Sequence, residues 1–372
     1  MLTRQGEPHA FCVECSTALE PWEGQAGARD FLFAAREVGE ALVAVAKGAS
    51  YQAAAESARR QAGRLPSTPG EGSPSRWRRR DPARDGQLVA NWVDVFTALV
   101  CAGELPERWP QTLLVDSMNF RIRTGERSGR GFHVFAAMGC DPGQAGKWAP
   151  VPKLWRLEPF AHRDQAAWEA FFGAFEDTPK VIVSDADHAL ACAIDAVFPD
   201  TVEHRLCEWH LGRKLREHLP DAILGDRDHP ISCALAGAFH TPQAWSALVQ
   251  AIEHEHAAGQ HGPLTLAVRW LESYGLRAKA QIATRDPNRP NSTGPVEKAL
   301  REVDRRLGDR IGSFTNRARM ADLLALMTLD LSGRANAREW SDRIRERLYF
   351  AGGRPTRHRP HDDPKGVYSL IS

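Results

Sequence analysis

The chain has 372 residues, 42% hydrophobic and 26% charged, with a formal net charge of +1. That balance describes a globular protein of two or three structural units and excludes a fibrous or wholly disordered one. It also excludes a global electrostatic field for nucleic acid, so such a partner has to be held by local, arginine-rich patches.

No apolar run approaches the ~18 residues of a membrane span, and the N-terminus lacks a secretory core. The seven cysteines are thinly spread, which argues against a disulfide framework and for a reducing, cytoplasmic setting. The first motif is Cys12-Val13-Glu14-Cys15. A lone C-x-x-C is half of a zinc ribbon, with His9 as a conceivable third ligand, or simply two reduced cysteines.

From residue 30 an apolar stripe of Phe31, Ala35, Val38, Leu42 and Val45 predicts a helix that Gly48 ends. Ser50 suits an N-cap for an alanine-rich helix over 51–61, followed by Arg59, Arg60 and Arg64. Residues 1–64 therefore read as an N-terminal unit, either helix-turn-helix-like and DNA-binding or a plain helical hairpin. Residues 65–87 are a Pro/Gly-rich basic linker in which Arg76, Arg78, Arg79 and Arg80 surround Trp77. Such a cluster can grip phosphates and stack a base, or be a solvated charge run.

A buried helix is expected over 88–101, then an apolar strand, 111–115, ending at Asp116. Two further strands (132–139, 153–157) and an amphipathic helix (162–175) precede a second apolar strand, 181–184, ending at Asp185. After it come a helix carrying Leu190, Ile194 and Val197, a strand over 202–207, and a basic amphipathic helix over 211–219. Antiparallel strands followed by βαβ crossings predict an α/β fold with a mixed sheet flanked by helices.

Residues 215–285 carry no strand pattern and read as an all-helical insertion. Beyond the loop at 285–291, Ser292 or Thr293 caps a helix with Pro295 in its first turn and a stripe of Val296, Leu300, Val303 and Leu307. Glu297 projects about 90° from the centre of that stripe, where a side chain can face a cleft while its helix stays anchored. Helices over 318–331 and 337–350 follow, and 351–372 reads as a disordered tail.

Asp116, Asp185 and Glu297 form a set suited to two-metal phosphoryl chemistry, in which oxygen ligands hold two Mg²⁺ ions roughly 3.5–4 Å apart. Each alone is equally a turn or surface residue, and Asp187, Glu302 and Asp304 are competing neighbours. Their order on strand, strand and helix is what gives the set its force.

The motifs LLVDSMNF, VIVSDADHAL, RLCEWH and NSTGPVEKALREVDRR, taken in order, resemble the DDE transposases of bacterial insertion sequences, the Mutator-like group above all. The resemblance covers about 88–350. It implies a ribonuclease H-like catalytic core formed by 88–214 and 286–350, interrupted by the helical insertion. It further implies Mg²⁺ (or Mn²⁺) held by Asp116, Asp185 and Glu297, DNA strand cleavage and strand transfer at the element's ends, and a homodimer or larger assembly at the nucleoid. Asn119, His188 and Arg301 are candidates for the same cleft, Arg301 as a DNA contact. Cys207 and His210 match the family's C-x-x-H, a hydrogen-bonded brace or, with His204, a zinc site. A non-cleaving DNA-binding descendant is the alternative reading, and a structural-zinc regulator built on Cys12, Cys15, Cys207 and His210 a third.

Overall fold

A computed structural model describes residues 10–12, 17–19, 28–61, 82–124, 127–140, 152–259, 262, 264–286, 289–308 and 317–351. The arginines 76, 78, 79 and 80, Cys15 and the tail expected from 351 onward, apart from residue 351 itself, lie outside them. Cys12 falls in a short strand, β1 (Ala10–Cys12), paired antiparallel with β2 (Thr17–Leu19), but its side chain is not among those described.

The centre of the molecule is a five-stranded mixed sheet. In chain order its strands are β3 (Thr112–Thr124), β4 (Arg127–Cys140), β5 (Lys153–Phe160), β6 (Val181–Ser184) and β7 (Glu203–Leu206), arranged β5-β4-β3-β6-β7. The β3–β4–β5 part is antiparallel, whereas β6 runs parallel to both β3 and β7. The parallel joins are made by helices, α4 (Gln165–Phe172) before β6 and α5 (His188–Val197) after it.

One expectation needs correction. Asp116 does not end its strand, because β3 runs eight residues further to Thr124 as a hairpin with β4, Asp116 pairing with Ala136. After Asp116, Met118, Phe120 and Ile122 alternate with polar residues and continue the strand, and Phe120 is buried and stacks on Phe132. What does end near Asp116 is the parallel ladder: Leu114 faces Val183, the last β3–β6 pair.

The two faces of the sheet bury different cores, as period-two alternation requires. Leu113, Val115, Phe135 and Ile182 pack against Trp168, Phe171 and Phe172 of α4 and Leu190, Ala193 and Ile194 of α5. Leu114, Ala136, Met138, Val181 and Val183 belong to the opposite core. That second core is built from α1 (Ala28–Ala46), α2 (Tyr51–Gln61), α3 (Pro82–Cys101), α11 (Gly294–Leu307), α12 (Arg317–Leu331) and α13 (Ala337–Ala351). Helices from both ends of the chain thus share one apolar interior. At the α1–α13 crossing Gly39 is obligatory, since a Cβ there would sit 2.6 Å from the Ala337 carbonyl oxygen.

Between α6 (Glu208–Glu217) and α11 the elements among the described residues are all helices: α7 (Asp221–Gly225), α8 (Pro230–Gly237), α9 (Pro242–Ala258) and α10 (Thr265–Ala283). They form a core of their own around Trp245, Leu248, Ile252 and Trp270, joined by Leu206, Leu211 and Leu215. α10 also closes the open edge of the sheet. The Gln281 carboxamide accepts from the Leu206 N–H (3.1 Å) and donates to the Leu206 carbonyl (2.9 Å), replacing a missing neighbour strand. Among the described residues no helix is long and apolar enough to cross a membrane.

Candidate metal and phosphate site

Alternation brings the first two acids to one place. Asp116 follows Leu114 on its face of β3, and Asp185, one residue past β6, continues the alternation of Val181 and Val183. That face is covered by α11, whose buried stripe of Val296, Leu300, Val303 and Leu307 is the one the sequence predicts. Glu297, in the first turn of α11, is left at the rim of the stripe facing the sheet, where a helix N-terminus favours a negative charge.

Asp116, Glu297 and His210 each offer a ligand atom, and these atoms lie within 4.8 Å of one another. Among the described residues this is the one such group of three. Asp185 stands beside it: burial first, and then the Asp185 charge, push the Asp116 carboxyl up to about 6. The structure thus brings Asp116 and Glu297 together as the sequence suggests, adds His210 to them, and leaves Asp185 at the margin.

The C-x-x-H motif explains how Glu297 is held. Thr293 is the N-cap residue of α11, yet its hydroxyl makes no capping bond. It lies 3.5 Å from Cys207 Sγ and 3.3 Å from His210 Nδ1, while the Thr293 N–H donates to the same sulfur at 3.3 Å. The other imidazole nitrogen, Nε2, is 3.3 Å from Glu297 Oε1. The motif therefore clamps the first turn of α11 onto the β7–α6 junction, and the Glu208 N–H to the Asn291 carbonyl (3.0 Å) adds a backbone link.

Charge follows the same path. Burial alone would raise the Cys207 thiol, but hydrogen bonds from His210 and Thr293 bring it below its ordinary range. Burial alone would lower His210, but Cys207, Asp116 and Asp185 outweigh it and raise the imidazole. His210 Nε2 and Glu297 Oε1 face each other at 3.3 Å, so the imidazole braces Glu297 and is also a potential third ligand of the cluster. Thr293→Val, which keeps shape and removes the hydroxyl, is expected to cost about 1 kcal/mol of stability. It should also slow any reaction at this site roughly ten- to hundredfold through a misplaced Glu297; thermal unfolding alongside a rate measurement checks both.

The zinc readings that use Cys12 and Cys15 lie outside the described side chains, and the one that joins His204 to Cys207 and His210 finds no ligand group among the described residues. His204 is hydrogen-bonded to Ser184 Oγ at 2.7 Å, and no group of three potential ligands includes Cys207. Asn119 and His188 are exposed, with His188 beside Cys192, and neither belongs to the cluster. Arg301 is exposed and pairs with Glu297 Oε2 at 2.9 Å. Of the competing acids, Asp187 caps α5 through the Leu190 N–H and Glu302 is spent on Arg305 and Arg306.

Arg163, which no sequence pattern singles out, pairs with Asp185 at 2.9 Å and with Asp187 at 3.4 Å. A divalent cation fits the donor set. Among the described residues Asp185 Oδ1 is buried and accepts no hydrogen bond, and Glu297 Oε1 has only the His210 imidazole at 3.3 Å, outside hydrogen-bond geometry, so both oxygens keep lone pairs for a cation. Beside them, Trp209 is half exposed, with its ring edge-on to His210 and the Arg213 guanidinium over its face. No protein-family model matches this chain, and no curated protein shows significant similarity to it.

Proposed function

We propose that this protein is a DDE transposase with a ribonuclease H-like core, cutting and joining DNA strands with the help of divalent metal ions. The observation that carries the reading is the convergence of Asp116 from the central strand with Glu297 from a late helix, next to Asp185. Two Mg²⁺ or Mn²⁺ ions held by Asp116, Asp185 and Glu297 would stabilise the attacking and departing oxygens of an in-line phosphoryl displacement.

The chain's own contribution is positioning. The sheet fixes Asp116 and Asp185, the Cys207–Thr293–His210 clamp fixes Glu297, and Trp209 with Arg213 supplies an aromatic and cationic face of the kind that binds single-stranded nucleic acid. Strand cleavage followed by attack of the freed 3′-hydroxyl, in a dimer that handles two DNA ends in the cytoplasm, is the corresponding cellular activity.

The test is incubation with DNA carrying the element's inverted ends. Nicked or joined products should appear with Mg²⁺ or Mn²⁺, vanish with chelator, and be absent for Asp185→Ala. Equal product from the variant would end the proposal. One observation favours the second reading, a non-cleaving DNA-binding descendant: Asp185 and Glu297 already carry cationic partners in Arg163 and Arg301. That reading predicts salt-sensitive DNA retention and no cleavage with any divalent metal.

A further inference from the structure

Arg163 lies in the exposed turn between β5 and α4, and its guanidinium reaches back over the site. One nitrogen, Nη2, serves two carboxylates of different standing. Asp187 is immobilised, because its Oδ1 accepts the Leu190 N–H at 2.9 Å as the N-cap of α5. Asp185 has no such anchor: its Oδ2 is taken by Arg163, and its Oδ1 is buried without a hydrogen bond. The Arg163 Nε–H is likewise buried and unpartnered among the described residues. A guanidinium fork with an unused donor, tethered to a fixed carboxylate and sitting on a candidate metal ligand, has somewhere to go when a cation claims that ligand.

We propose that Arg163 is an exchangeable counter-ion: it neutralises Asp185 until a divalent cation takes that carboxylate, then keeps its hold on Asp187 and turns its free donors to a DNA phosphate. The inference rests on the metal-site reading above. It explains how acids packed this closely coexist before metal arrives, and it makes metal entry and phosphate capture one exchange of ionic partners. Arginine suits both stages because its planar fork fits carboxylate and phosphate alike.

The test is Mn²⁺ titration of the full chain by calorimetry, without DNA. Arg163→Gln should bind Mn²⁺ about fivefold tighter than wild type, the order expected on removing one partly exposed competing charge. In an Asp185→Asn background the same substitution should change affinity by less than about twofold, since the competition is by direct contact. An equal gain in that background would mean a long-range charge effect and overturn the proposal, as would an unchanged or weaker affinity in Arg163→Gln. At saturating Mn²⁺, Arg163→Gln should bind a short DNA duplex about tenfold more weakly, with Arg163→Lys recovering part of the loss; undiminished DNA binding overturns the second half. Unaltered melting temperatures in both variants keep the comparison free of misfolding. If wild type itself binds no Mn²⁺, the metal site fails and the exchange with it, whereas wild-type binding that Arg163→Gln leaves unchanged sinks the exchange alone.

Discussion

Asp116→Asn is expected to abolish the proposed DNA cleavage while making the metal-free protein more stable. The loss of rate should be about 10³-fold or more, equivalent to about 4 kcal/mol of barrier, since the proposed function makes Asp116 a central ligand for the reacting metal. The gain in stability follows from the environment of the carboxyl. Asp116 is buried and its pKa is raised from 3.8 to about 6, first by burial and then by Asp185.

A raised acid holds its proton more tightly folded than unfolded, so stability falls as pH climbs between those two values. Above pH 6 the ionised carboxylate costs the fold on the order of 2–3 kcal/mol. Asparagine has no charge to bury, and its amide oxygen can still accept the Ser117 N–H that Asp116 takes at 2.7 Å. With chelator present, the melting temperature of the variant should exceed that of wild type at pH 8 and converge with it toward pH 4. Added Mn²⁺ should reverse the order at pH 8 by stabilising wild type alone. A variant destabilised equally at both pH values would show that Asp116 is a structural residue.

Trp168→Ala should have the largest effect on stability, about 3–5 kcal/mol, the range for emptying an aromatic site in a close-packed core. Trp168 has no exposed surface; its ring stacks on Phe135 with centroids 3.8 Å apart and on Phe172 at 5.7 Å, and meets Phe171 edge-on at 5.8 Å. It joins α4 to the face of the sheet opposite the acids, so alanine leaves a cavity that α4 cannot collapse into without dragging Phe171 and Phe172. Trp168→Phe is the informative partner. It keeps most of the packing and discards an indole N–H that is buried without a hydrogen bond, so its cost should stay below about 1.5 kcal/mol. Urea unfolding of the two variants measures the difference, and a similar loss in both would mean that ring stacking is not what holds α4 down.

Much of this was legible in the residues, for reasons that differ by element. Apolar runs such as 181–184 announce a buried strand, and period two then dictates that Asp116 and Asp185 share a face. The α11 stripe places Glu297 at its margin in the same way. One more element was legible but overlooked, and two things were not legible. The expected strand stops with the apolar run at Asp116, although Met118, Phe120 and Ile122 alternate with Ser117, Asn119, Arg121 and Arg123 as in a half-exposed strand, the outer half of the long β3–β4 hairpin. The start of α3 at Pro82 was hidden because a proline at a helix's first turn looks the same as one in a linker. The contacts of Arg163 and Thr293 were hidden because they arise from segments meeting in space: nothing in the turn around Arg163 signals that Asp185 lies over it. Thr293 was visible only as a capping residue, and its actual partners, Cys207 and His210, are supplied by another helix.

The seating of α13 on α1 has a bearing on how the molecule comes into being. α1 is covered in part by its neighbour α2 and in part by α13, which lies far along the chain, and Glu297 likewise reaches the two aspartates across a long stretch of sequence. Closure over so long a stretch of chain is slow and cooperative. Fragments lacking α1 or α13 should therefore expose apolar surface that the whole fold buries.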